Sequence, residues 1–131
     1  MPYYTSYTAS KAGLSQFTAA FAQEVASEGI AVLAIGPVAA TDMTLGTYDN
    51  DVLPKEMKDN FRTAFTTDPD RWLQLTMALF GVVARGDADH VSGSYLGAPG
   101  PSFEDASSIA GLPPTDAGRR ALAARGVAHE N

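Results

Sequence analysis

Two kinds of apolar spacing alternate along the chain, one typical of helices and one typical of buried strands. The first helical stripe consists of Leu14, Phe17, Phe21 and Val25. Its spacing of three and four residues predicts a helix over residues 6–28, with Gly29 as its C-cap. The continuous apolar run over residues 30–35 that follows predicts a strand buried on both faces, as in a parallel sheet.

A second helix-and-strand unit follows after a polar insert. Asp68 before Pro69 combines an N-cap acid with a proline at the first helical position, and this predicts a helix that continues to residue 84. The side chains expected to face the core from this helix are Trp72, Leu75, Leu79, Phe80 and Val83. A strand predicted over residues 90–96 completes the unit.

The order of these elements predicts a fold class. Residues 44–67 form an insert with a short helix over residues 54–65, and residues 97–131 form an extended tail with a short helix over residues 116–125. Helix, strand, insert, helix, strand and tail predict an α/β fold, the C-terminal half of a doubly wound parallel sheet within residues 1–96. The first strand then needs a neighbouring strand that this sequence does not contain.

The composition argues against several classes of function. The chain has 131 residues and a formal net charge of -6, so neither a nucleic acid nor an anionic membrane is an expected partner. It contains no cysteine, which excludes disulfides and thiol catalysis, and no His, Asp and Glu cluster has the spacing of a metal site. The N-terminus lacks the pattern of a secretory signal, and no apolar run is long enough to span a bilayer. We therefore expect a globular, cytoplasmic protein without a metal.

Tyr7 and Lys11 are the first candidates for chemistry. Residues four apart share one face of a helix, so the phenol and the ammonium group point into the same space. A neighbouring cation stabilises the phenolate, which allows a tyrosine to act as general acid and base on a carbonyl or an alcohol. Such a pair by itself more often belongs to an exposed helix surface. Whether Tyr7 and Lys11 form a catalytic pair therefore has to be judged from the surrounding sequence.

That surrounding sequence resembles the short-chain dehydrogenase/reductase family over residues 3–96. The segment YTASKAGL, residues 7–14, is similar to the family's active-site helix, and a long helix, a glycine and a buried strand follow it in the family's order. The segment GPVAATDM, residues 36–43, resembles the family's turn after this strand, although its Gly-Pro order is inverted. The segment VSGSYL, residues 91–96, is similar to the last strand of the family's sheet.

The resemblance implies a Rossmann-like fold and an oxidoreductase that moves a hydride between NAD or NADP and a small-molecule carbonyl or alcohol. In this interpretation Tyr7 is the general acid/base, and Lys11 assists it and holds the nicotinamide ribose. The cofactor-binding residues that the resemblance implies are Tyr7, Lys11, Gly36, Pro37, Val38, Ala39 and Thr41. Thr41 is also compatible with a simple cap after the strand. The insert over residues 44–67 is implied as the substrate-binding lid.

Parts of the family's site are absent from this sequence. There is no glycine-rich turn to hold the pyrophosphate, and the family's catalytic Ser and Asn lie further upstream of the tyrosine than the position of Tyr7 allows. We therefore expect the isolated chain to be inactive and not to bind NAD(P)H with useful affinity. Two interpretations stay open: a fragment of an NAD(P)-dependent oxidoreductase, or a truncated, non-catalytic remnant that serves as an association module. A homo-oligomer is expected to form through the helix over residues 6–28.

Overall fold

The computed structural model describes residues 5–37, 41–42, 46, 51–97 and 106–127. Within these ranges, helices cover both faces of a two-stranded parallel sheet, which confirms the predicted α/β fold class and is consistent with part of a Rossmann-like sheet. The helices are α1 (Thr5–Val25), α2 (Lys55–Thr66), α3 (Pro69–Ala84), α4 (Ala106–Ala110) and α5 (Asp116–Ala124). The strands are β1 (Ala34–Gly36) and β2 (Tyr95–Gly97), and two 3₁₀ turns occupy Ala26–Glu28 and Asp89–Val91.

Helix boundaries follow local signals in the sequence. Gly29 ends the first helical segment with a φ of 71°, a left-handed conformation that a glycine adopts without steric cost. Asp68 caps α3, because its Oδ1 accepts a hydrogen bond of 3.0 Å from the backbone N–H of Arg71, and Pro69 is the first helical residue. The helices α2 and α5 lie within one residue of their predicted ranges. The predicted helices are therefore confirmed.

Both strands are shorter than predicted. They pair in the register Ala34–Tyr95, Ile35–Leu96 and Gly36–Gly97. The prediction of a strand from residue 90 was wrong, because residues 89–91 form a 3₁₀ turn and Gly93 has a φ of 91°, which interrupts extended geometry. A hydrogen bond already joins the two segments just before the strands begin, because Ser92 Oγ accepts from the N–H of Val32 at 2.9 Å.

Alternate strand residues point to opposite faces of the sheet, and each face has its own core. The larger core lies between the sheet, α3 and α4, and its buried members are Leu79, Val82, Ala88, Val91, Leu96 and Ile109. Leu33 and Ile35 pack against this core. The opposite face meets α1 and α5, and the buried residues there are Ala22, Ala26 and Ala117, with Val32 packed on them.

The apolar stripe of α1 lies on the exposed side of the helix. Leu14, Phe17 and Phe21 are 49%, 61% and 38% exposed. The buried side consists of Thr18 and Ala22, whose small side chains let neighbouring elements approach the helix closely. The amphipathic pattern thus predicted the helix correctly but does not show which side of it this chain covers.

The helix α3 differs from the prediction at one position of its core face. Leu79 is buried as expected, but Phe80 is 45% exposed and Val82 lies in the core instead. Trp72 is half-buried, and its ring centroid lies 6.2 Å from that of Phe65 on α2. This ring contact joins α2, which belongs to the insert, to α3.

The C-terminal helix α5 packs on the second 3₁₀ turn. The N–H of Thr115 donates to the carbonyl oxygen of His90 at 2.9 Å, and Arg125 forms an ion pair with Asp89. Gly118 is buried in this contact, and a Cβ there would overlap the carbonyl group of His90. The short helix predicted in the tail is therefore confirmed and is tightly docked.

Candidate functional site

Tyr7 and Lys11 lie on the first turns of α1, one above the other. Lys11 Nζ is 5.4 Å from the centroid of the Tyr7 ring, within the range of a cation–π contact. Both side chains are exposed, so a ligand can reach the phenol and the ammonium group. The Ser10 hydroxyl donates a 2.7 Å hydrogen bond to the Tyr7 carbonyl oxygen and so stays within the helix. The four-residue spacing brings the two predicted groups together.

The direction of α1 determines where this pair stands on the sheet. Ala22 and Ala26, near the end of the helical segment, pack with Val32 just before β1. A Cβ at Gly93, just before β2, would lie 3.4 Å from Ala22 Cβ. The C-terminal end of α1 is therefore beside the beginnings of both strands. Its first turns lie towards their carboxyl ends, the edge at which parallel α/β sheets bind ligands.

The other predicted site residues start at the carboxyl end of β1. Gly36 is the last residue of the strand, Pro37 follows it and is exposed, and Thr41 is also exposed. Val38 and Ala39 lie outside the described residues. The structure therefore places Gly36 and Pro37 at the sheet edge towards which the first turns of α1 extend.

Comparison with known protein families concerns the N-terminal part of the chain. The model of the family described as short chain dehydrogenase matches residues 1–51, which include α1 and β1. This segment belongs to the short-chain dehydrogenase family. No curated protein and no solved structure matches the chain significantly. The predicted family is confirmed, whereas the assignment of the chain to the C-terminal half of the family's fold stays a prediction.

The dehydrogenase segment has side chains that suit one part of a nicotinamide cofactor. Lys11 carries three N–H donors and Tyr7 one O–H donor, and both groups stand exposed on one helix face. Two adjacent ribose hydroxyls match such a donor set. The phosphates of the cofactor have no counterpart in the sequence, because no glycine-rich turn after a strand is present in it. The residues present therefore fit the ribose and not the whole dinucleotide.

Tyr95 is a residue at this edge that the sequence did not single out. Its ring lies over the ends of both strands: a Cβ at Gly36 would overlap the Tyr95 hydroxyl oxygen, and a Cβ at Gly97 would lie 2.7 Å from Tyr95 Cε1. The two glycines are paired in the sheet register. The sequence does show a glycine at the end of each strand. That these two glycines make room for the Tyr95 ring depends on the strand register, which only the structure shows.

Other kinds of site find no support in the described part of the chain. Among the residues that the structure describes, no three His, Asp or Glu side chains come together to hold a metal ion. None of the helices in the same ranges has the length and apolarity needed to cross a bilayer. His90 is buried with its Nε2 3.0 Å from the carbonyl oxygen of Ile109, so it joins α4 to the second 3₁₀ turn. Its position is that of a structural residue.

Proposed function

We propose that this chain is the part of an NAD(P)-dependent oxidoreductase that moves the proton when a carbonyl and an alcohol interconvert. The observation that carries the proposal is the pair Tyr7 and Lys11, exposed together near the carboxyl edge of the sheet. The pair lies inside the segment that belongs to the short-chain dehydrogenase family. Both side chains are exposed to solvent, so a small-molecule substrate and a ribose can approach them.

Proton transfer in this site is the task of Tyr7. NAD(P)H, when bound, supplies the hydride that reduces the carbonyl carbon. Tyr7 donates its hydroxyl proton to the substrate oxygen as negative charge develops there, and in the reverse direction its phenolate accepts the alcohol proton. The ammonium group of Lys11 attracts the phenolate and donates to the ribose hydroxyls, so it supports both proton transfer and binding.

The remaining predicted residues complete the proposal. Gly36, Pro37, Val38, Ala39 and Thr41 would hold the nicotinamide end of the cofactor, NAD or NADP. The insert over residues 44–67 is assigned to the substrate-binding lid. A cytoplasmic location agrees with the cysteine-free composition.

A non-catalytic association module is the alternative function, and one observation favours it. Phe17 and Phe21 are stacked with their ring centroids 5.5 Å apart, and both rings are exposed on the outer side of α1. Exposed aromatic side chains on one helix face are typical of a contact with another chain. In this interpretation α1 holds a second subunit, and the Tyr7–Lys11 pair is inherited without use.

The proposal is tested first by substitution in a protein that contains this chain together with a glycine-rich cofactor segment. Tyr7→Phe is expected to lower turnover by about a hundredfold or more, because the proton donor is lost, while the Kd for the cofactor changes little. Lys11→Ala is expected to raise that Kd as well. Gln16→Ala, an exposed residue on the opposite side of α1, is the control. Full activity of Tyr7→Phe would remove Tyr7 from the role of acid.

A second test uses the 131-residue chain by itself. Titration of the purified chain with NADPH, followed by nicotinamide fluorescence, is expected to show no saturable binding at micromolar concentrations, because the phosphates find no glycine-rich turn. Saturable binding in that range contradicts this expectation and shows that the chain holds the cofactor without further residues.

A further inference from the structure

The Tyr95 ring lies in a space that a glycine on each of the two strands leaves open. Its distal ring edge covers Gly36 on β1 and Gly97 on β2, two residues that face each other in the register. Any side chain at either position would displace the ring, since its Cβ would overlap the hydroxyl oxygen or lie 2.7 Å from Cε1. The ring is nevertheless 58% exposed. One side of the phenol is therefore held against the sheet while a large part of it stays open.

The ring lies on the side of the sheet that meets α1. Tyr95 and Gly97 alternate with Leu96, which points into the core on the α3 side, so they point to the α1 side. The chain just before β2 also lies against α1, because a Cβ at Gly93 would lie 3.6 Å from Ala19 Cα. Tyr7, Lys11 and Tyr95 consequently share one side of the sheet.

The position of the ring along the sheet can be compared with the direction of α1. The distal end of Tyr95 lies over Gly36 and Gly97, the last residues of the two strands. The first turns of α1, which contain Tyr7 and Lys11, extend towards the carboxyl ends of the same strands. The ring and the Tyr7–Lys11 pair therefore lie towards the same edge of the sheet.

We propose that Tyr95 is a further ligand contact of the site, and that its open ring face receives the aromatic ring of an aryl carbonyl substrate. The inference rests on the proposed dehydrogenase function, because Tyr7 then holds the carbonyl oxygen of the same ligand. The distal edge of the phenol packs on the backbone of two glycines, so it loses less freedom than a fully solvated side chain when a planar group covers it. Stacking on such a ring selects an aromatic ligand over a saturated one of the same size.

The predicted preference is measurable with two matched ketones and the complete chain. Acetophenone and cyclohexyl methyl ketone have the same carbonyl and similar size, but only the first has an aromatic ring. Saturation-transfer NMR with the 131-residue chain is expected to give acetophenone a Kd about three- to tenfold lower, as one aromatic contact supplies. Tyr95→Leu should abolish the difference, whereas Tyr95→Phe should keep it, because the ring is retained.

Phe17→Leu is the matched control, because Phe17 is an aromatic residue of similar exposure, 61% against 58% for Tyr95. It should leave the preference unchanged. Circular dichroism of each variant verifies that the fold is intact. The proposal is overturned if the wild-type chain shows no saturation transfer to acetophenone at millimolar concentrations, if Tyr95→Leu keeps the preference, or if Phe17→Leu abolishes it.

Tyr7→Phe in the same assay separates this proposal from the dehydrogenase function. Loss of the Tyr7 hydroxyl should weaken both ketones equally, since both have the carbonyl oxygen. A preference that depends on Tyr95 without any effect of Tyr7→Phe supports the aromatic contact and speaks against the dehydrogenase site. An effect of Tyr7→Phe without dependence on Tyr95 supports the dehydrogenase site and overturns the aromatic contact.

Discussion

Gly118 offers a direct test of how α5 is docked. It is the third residue of that helix and is buried against the second 3₁₀ turn. A Cβ at this position would overlap the carbonyl carbon and oxygen of His90 and lie 3.0 Å from the carbonyl oxygen of Asp89. These are backbone atoms of a buried turn, so they cannot swing aside as the end of a flexible side chain can. Gly118→Ala must therefore push α5 away from the turn.

The size of the effect follows from three contributions. Replacing glycine by alanine within a helix ordinarily stabilises it by about 1 kcal/mol. Forcing an extra carbon into a close-packed contact costs about 1–3 kcal/mol. Moving α5 also stretches the hydrogen bonds from Thr115 to His90 and Ser92, at 2.9 and 2.6 Å, each with a net value of about 1 kcal/mol. We expect the free energy of unfolding to fall by about 2 kcal/mol.

Urea unfolding of the complete chain, followed by circular dichroism at the helix band, measures this change. Gly13→Ala is the matched control, because Gly13 lies within α1 and a Cβ there would meet nothing within 4 Å. The same chemical change should therefore raise the free energy of unfolding by about 0.5–1 kcal/mol at Gly13. Opposite signs at the two glycines are the expected result. A Gly118→Ala chain as stable as the wild type would refute the close docking of α5.

Two further predictions concern helix ends and surface charge. Thr115→Ala should lower the free energy of unfolding by about 1–2 kcal/mol, because Thr115 Oγ1 accepts the N–H of Gly118 at 3.0 Å and donates to the carbonyl oxygen of Ser92. Thr115→Ser keeps the hydroxyl and should retain most of that stability. An alanine variant with an unchanged urea midpoint would contradict the cap. The Lys55 ammonium donates a 2.6 Å hydrogen bond to Asp59 and lowers the pKa of that carboxyl. The stabilising effect of this pair is therefore present above the pKa that Asp59 has in the unfolded chain. It is lost as the pH falls through the lowered pKa that Asp59 has in the folded chain. In Lys55→Ala, carboxyl NMR titration should show the pKa of Asp59 rising towards its ordinary value, and an unchanged pKa would contradict this cause.

Much of the helical structure could be predicted because its causes are local. The cap of α3 needs only Asp68 and the N–H three residues later, and the end of the first helical segment needs only the backbone freedom of Gly29. The same holds for half of the candidate site. Tyr7 and Lys11 meet because a helix places residues four apart on one face.

The strands were less predictable because their limits depend on distant residues. The chain before β2 turns sharply at Gly93. The backbone N–H of Gly93 donates to the carbonyl oxygen of Val32 at 2.7 Å. That bond joins segments far apart in the sequence, so the residue types over residues 90–96 could not place the start of the strand. The residue types of such a segment are the same whether or not its first residues are paired.

The sequence by itself determined the α/β class, the helices and the Tyr7–Lys11 pair, because short-range spacing controls each of them. The family came from the resemblance of whole segments, and the family model matches it over residues 1–51. Tertiary structure decided which side of α1 is covered, since burial depends on what packs against the helix, and Ala22 rather than Phe17 meets a neighbour. It also decided that Tyr95 lies over Gly36. That contact exists because the parallel register sets the two strand ends side by side and the glycine leaves the space that a side chain would fill.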